Sequence, residues 1–126
     1  MVGLVVVSHS RKAAEGIAEV AAEMGGDTRI EPVGGDGDGG FGTVPDDIEA
    51  AVETVGGGDG AVLLVDLGSA VMNAEVAIEM TDAETVIADA PVLEGAVNAA
   101  VAATSPKATV QSVREQAEAA GDIDKL

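Results

Sequence analysis

The chain of 126 residues has no cysteine, tryptophan or tyrosine, a single phenylalanine (Phe41) and a single histidine (His9). Without cysteine there is neither a disulfide framework nor a thiol nucleophile, which fits a cytoplasmic protein. One histidine and no cysteine leave a zinc site without its usual ligands. No run reaches the roughly 18 continuous apolar residues of a membrane span. The leading Met1-Val2-Gly3-Leu4 lacks the basic region of a signal peptide. Basic residues are also scarce, 6 against 23 acidic, for a net charge of −17. Such a surface repels nucleic acid and anionic lipid, so neither is an expected partner.

What is present is mostly small and aliphatic. Hydrophobic residues make up 47% of the chain, enough for the core of one domain spanning residues 1–126. With almost no aromatics, Val, Ala, Ile and Leu must fill the interior, and cohesion must come from close packing of many small groups. High Ala and Val content with clear periodicity excludes the disorder that an acidic chain otherwise suggests. The expected picture is halophilic: a folded core under an acidic shell, as in proteins adapted to molar salt, where charges are screened within about 3 Å.

Val2 to Ser8 reads as a buried strand, and Ser10 then caps a helix to about Met24, with Ile17, Val20, Ala21 and Met24 on one apolar face. Thr28 to Val33 is a second strand, followed by the glycine-rich, acidic stretch 34–42. Thr43 is the expected N-cap of a second helix with Pro45, Asp46 and Asp47 in its first turn and Ile48, Ala51, Val52 and Val55 buried. Ala61 to Val65 is a third strand. Ser69 is expected to cap a third helix to Met80, with Met72, Val76 and Met80 at helical spacing. Thr85 to Ala88 is a fourth strand, and helices over about 91–104 and 108–120 complete the chain. This order predicts an α/β fold: an open, mainly parallel sheet of about four strands, order 2-1-3-4, with helices on both faces.

In such a sheet, ligands bind at the carboxyl ends of strands where strand order reverses, here between strands 1 and 3. His9 follows strand 1 and Asp66-Leu67-Gly68-Ser69 follows strand 3, so both lead to one crevice. The composition of that crevice suits phosphoryl transfer through a phosphohistidine. Imidazole supplies an unprotonated nitrogen near neutral pH. Asp66 can hold the other ring nitrogen's N–H, and a helix N-terminus at Gly68 and Ser69 can meet phosphoryl oxygens, with Gly42 and Thr43 adding donors. Other motifs fail. Asp36-x-Asp38 hints at a calcium loop, but Phe41 stands where that loop needs glycine and Asp47 where it needs glutamate. The glycine-rich stretch lacks the Gly-Lys-Ser/Thr ending of a nucleotide loop. A His9–Asp66–Ser69 hydrolase triad lacks the second glycine of a nucleophile elbow.

Val5-Val6-Val7-Ser8-His9-Ser10, Gly42-Thr43, Val65-Asp66-Leu67-Gly68-Ser69-Ala70-Val71-Met72-Asn73-Ala74-Glu75 and Ala90-Pro91-Val92-Leu93-Glu94-Gly95-Ala96 together resemble the mannose-type enzyme IIA family. Within it they resemble the phosphotransfer subunits of phosphoenolpyruvate-dependent dihydroxyacetone kinases. The resemblance covers essentially the whole chain. It implies a phosphorylated His9 with Asp66 as orienting carboxylate, and Gly42, Thr43, Gly68 and Ser69 beside the phosphate. It further implies a homodimer that takes the phosphoryl group from HPr and passes it to ADP held by the DhaL subunit, regenerating the ATP that phosphorylates dihydroxyacetone on DhaK. No tightly bound cofactor of its own is expected. Some relatives carry fused HPr-like and enzyme I-like domains, so the donors here are expected to be separate proteins. Two alternatives remain open: a mannose-type sugar IIA component, and a non-catalytic regulatory module of the same fold.

Overall fold

The computed structural model describes all 126 residues. Its elements run β1 (Gly3–Ser8), α1 (Arg11–Met24), β2 (Ile30–Gly34), α2 (Pro45–Val55), β3 (Ala61–Val65), α3 (Gly68–Met80), β4 (Thr85–Ile87), α4 (Val92–Ala102) and α5 (Val110–Ala119), followed by one 3-10 turn at Ala120–Asp122. The four strands form one sheet in the order β2-β1-β3-β4, every pair parallel. The expected topology is therefore the observed one.

Alternation along the strands divides the interior into two layers. Leu4, Val6, Val62 and Leu64 face α1, α4 and α5, where Ala14, Ala18, Ala21, Ala96, Ala99, Ala100 and Val113 meet them. Val5, Val7 and Leu63 face α2 and α3, against Ile48, Val52, Ala70, Ala74 and Ala77. Of the 28 buried apolar residues, 15 are alanines. Helices consequently lie close to each other: a Cβ placed on Gly25 at the end of α1 would stand 2.6 Å from the Ala100 Cβ of α4.

That closeness corrects two expected faces. On α1 the buried stripe is Ala14, Ala18 and Ala21, while Val20 and Met24 are exposed. On α3 it is Ala70, Ala74 and Ala77, leaving Met72, Val76 and Met80 in solvent. The α2 stripe of Ile48, Ala51, Val52 and Val55 is as expected. Of the three expected N-caps, one holds and two do not. Ser10 caps α1, accepting from the Ala13 N–H at 3.2 Å. The N-cap of α2 is Val44 rather than Thr43, because the residue before Pro45 is held extended and the proline itself takes the first helical position. Ser69 is not a cap either: α3 starts at Gly68 with Leu67 as N-cap and no side-chain cap, which leaves the Ser69 hydroxyl for other use.

Candidate active site

The chain leaves β1 toward β2 on one side and returns through α2 to β3 on the other, so the carboxyl ends of β1 and β3 are neighbours with different connections. Val7 pairs with Val65, and the Asp66 N–H donates to the Val7 carbonyl at 3.1 Å. The ladder thus delivers Ser8 and His9 alongside Asp66.

Four hydrogen bonds converge on the Asp66 carboxylate. The Ser8 hydroxyl (2.8 Å) and the His9 N–H (3.0 Å) donate to Oδ2; the Leu67 N–H (2.7 Å) and His9 Nδ1 (3.0 Å) reach Oδ1. Partial burial pushes the Asp66 pKa up. The hydrogen bonds, led by the His9 N–H, outweigh that and hold it below the ordinary carboxylate value. An ionised carboxylate only accepts, so Nδ1 must carry the proton of a neutral His9 ring. Nε2 then bears the lone pair, and the Ser69 hydroxyl, 2.8 Å away, donates to it. The His9 side chain keeps 24% of its surface in solvent. The ring thus combines a fixed tautomer with an open approach.

The remaining wall comes from the far end of the glycine-rich loop. The Gly42 N–H donates to the His9 carbonyl at 3.0 Å, from a backbone φ of 141° that disfavours any side chain. Beside it, Asn73 Nδ2 reaches Thr43 Oγ1 (2.6 Å) and the Thr43 carbonyl (3.2 Å). Earlier in the loop, Asp36 Oδ1 accepts from the Asp38 and Gly40 N–H groups at 2.8 and 2.9 Å, which lowers its pKa and closes the turn on itself. Gly68 opens α3 with free space where a side chain would project.

His9, Asp66 and Ser69 therefore meet directly, Gly42 touches the His9 backbone, Thr43 is tied to α3, and Gly68 lies in the helix turn that carries Ser69. Two participants are absent from the set expected on sequence. Ser8 steadies Asp66, and Asn73 holds Thr43. The spacing of Asn73, four residues beyond Ser69 on one helix face, is the signal that could have found it.

The chain belongs to the EIIA-man family, described as the fructose IIA component of the phosphotransferase system, whose model matches residues 3–114. Within that family it resembles proteins named as DhaM subunits. It is 43% identical over 106 residues to the phosphoryl donor subunit DhaM of PEP-dependent dihydroxyacetone kinase 2 from Listeria innocua, covering 80% of this chain and 85% of that one. It is 36% identical over 116 residues to the phosphotransferase subunit DhaM of a PTS-dependent dihydroxyacetone kinase from Lactococcus lactis, covering 92% and 93%. Among solved structures, a protein of unknown function superposes with a TM-score of 0.81 at 29% identity, covering 93% of this chain and 92% of that one. The mannose/sorbose-specific IIA subunit from Enterococcus faecalis superposes at 0.59 with 20% identity, covering 98% and 93%, a likeness of fold alone. No helix is long and apolar enough to cross a membrane.

Proposed function

We propose that this chain is a cytoplasmic phosphohistidine carrier serving dihydroxyacetone phosphorylation. It takes a phosphoryl group from phospho-HPr onto His9 and passes it to ADP bound on DhaL. The observation that carries the reading is the His9 ring itself, its Nδ1 held by Asp66 and its Nε2 lone pair turned toward the first turn of α3. The names of the DhaM relatives support the choice of kinase.

In the forward step Nε2 attacks phosphorus, the Nε2–P bond forms and the donor's N–P bond breaks, its electron pair returning to the donor nitrogen. Nδ1 keeps its proton, so the phosphorylated ring is cationic and sits against the ionised Asp66. Ser69 loses its acceptor when the Nε2 lone pair enters the new bond, and its hydroxyl turns to a phosphoryl oxygen. The N–H groups of Gly68 and Ser69 meet the same oxygens from a helix N-terminus, with Gly42 and Thr43 across the site. Transfer to ADP reverses these movements, and the carrier acts as a homodimer with no cofactor of its own.

Intact mass is the test, in high-salt buffer with phosphoenolpyruvate, enzyme I and HPr, wild type beside His9→Ala. One acid-labile phosphoryl group on wild type alone, discharged by DhaL–ADP, is the expected result. Discharge by a sugar-permease IIB component and not by DhaL would move the chain to a sugar relay. Absence of labelling, with donors active on another acceptor, would remove the carrier reading.

A further inference from the structure

Asn73 is chemically committed in a way that fixes the direction of a neighbouring proton. Its amide faces the Thr43 carbonyl at 3.2 Å, and a carbonyl only accepts, so the atom facing Thr43 must be the NH2 group. The same nitrogen lies 2.6 Å from Thr43 Oγ1, which must therefore accept as well. The Thr43 hydroxyl proton is then directed away from Asn73, and no other hydrogen bond involves that hydroxyl. Thr43 is also held from two sides by segments that carry the site. It follows Gly42, whose N–H sits on the His9 carbonyl, and its partner Asn73 lies one helical turn from Ser69, which touches Nε2.

We infer that Asn73 is a positioning residue that makes the Thr43 hydroxyl a dedicated donor to the phosphoryl group on His9. The inference rests on the carrier reading and deepens it. A transferring phosphoryl group spreads charge over three terminal oxygens, and fixed donors aimed at them lower the barrier. Ser69 is occupied by the Nε2 lone pair until the N–P bond forms. Thr43 has its proton free beforehand, so it is the hydroxyl already oriented when the group arrives. Helix α3 thereby serves both walls, directly through Ser69 and at one remove through Asn73.

The test uses phosphoramidate, a small N–P donor, so that the site is read without any protein partner. Its N–P bond breaks as Nε2–P forms, and ammonia leaves carrying a solvent proton. Wild type, Asn73→Ala, Asn73→Asp, Thr43→Val and Thr43→Ser are compared by labelling rate at saturating donor, with melting temperature and amide NMR spectra confirming the fold. Asn73→Asp is the sharpest variant, since its carboxylate accepts the Thr43 proton and reverses the bond. The expected result is a fall of about 10- to 100-fold for Asn73→Asp and Thr43→Val. Thr43→Ser should keep most of the rate, and Asn73→Ala combined with Thr43→Val should be no slower than Thr43→Val alone. Rates for the Asn73 variants within twofold of wild type, or additive effects in the double variant, would overturn the inference. If phosphoramidate labels His9 with this Asn73 dependence while phospho-HPr does not, the relay fails and the positioning role stands. Labelling by both donors without Asn73 dependence removes the positioning role and leaves the relay intact, and no labelling by either removes both.

Discussion

Asp66→Asn exchanges one carboxylate oxygen for an amide nitrogen, and the four donors around Asp66 decide which oxygen is replaced. Both carboxylate oxygens accept from a backbone N–H, so either orientation of the amide sets its NH2 against one of them. With the NH2 at the Oδ2 position, the partly buried His9 N–H loses its partner, at a cost of about 1–3 kcal/mol. With the NH2 at the Oδ1 position, the loser is the Leu67 N–H, on a residue 57% exposed, where water can replace the lost acceptor. The second orientation wins, and it places a donor against His9 Nδ1. The ring responds by moving its proton from Nδ1 to Nε2, and Ser69 changes from donor to acceptor. Stability should fall by only about 1–2 kcal/mol, while phosphorylation should fall by about 10³- to 10⁴-fold, the scale seen when a catalytic imidazole is locked in the wrong tautomer. Thermal unfolding gives the first number, the labelling rate the second, and imidazole ¹⁵N NMR the tautomer. An Asp66→Asn variant that keeps Nδ1–H, or that labels within tenfold of wild type, would refute the reasoning.

Because the Asp66 pKa is lowered in the fold, its contribution to stability is complete above its unfolded value and is lost as pH falls through the folded one. The stability gap between wild type and Asp66→Asn should therefore be flat above about pH 5 and close in acid, as measured by denaturant titration at each pH. At net −17, with only exposed ion pairs at Met1–Asp59, Arg11–Glu15 and Lys125–Glu94, the unfolding midpoint should rise as potassium chloride goes from about 0.1 M to molar; a midpoint indifferent to salt would count against the acidic-shell reading. Gly60→Ala forces a Cβ onto the Glu84 carbonyl and within 2.6 Å of Val110 Cγ2 at a φ of 89°, and should cost about 3 kcal/mol or more in chemical denaturation, whereas Gly57→Ala, in open space, should change stability by less than about 0.5 kcal/mol.

Strand order and the His9–Asp66 meeting point were legible because they follow from chain order and one topological rule. Runs such as Leu4-Val5-Val6-Val7 and Ala61-Val62-Leu63-Leu64 have no competing reading as buried parallel strands. The helix faces of α1 and α3 were not legible in the same way. Both helices are apolar on more than one side, and periodicity fits Met72-Val76-Met80 as well as Ala70-Ala74-Ala77. The choice is made by how near the sheet the helix can come, a tertiary quantity that favours the smaller stripe. The caps at Thr43 and Ser69 mislead for a related reason. Both hydroxyls are good caps in isolation, yet Pro45 fixes one helix start and the Asp66 turn sets the other, so both side chains are left to the site. Asn73 was only half legible: its spacing from Ser69 puts it on the helix face of the site, but an amide on a helix does not say which distant carbonyl it will meet.

The alanine interior has an asymmetric tolerance. Alanine has no rotamers to lose on burial, so ordering these side chains carries almost no entropic penalty. Little can be cut from them, and the deep cavities left by truncating a large side chain cannot arise at those 15 positions. The opposite change is the dangerous one. Where α1 meets α4, even a methyl group at Gly25 has no room, so an added methylene must push whole helices apart rather than reshuffle a side chain. Random substitution in this protein should therefore fail mainly by wedging, and the variants that survive should be those that keep its buried residues small.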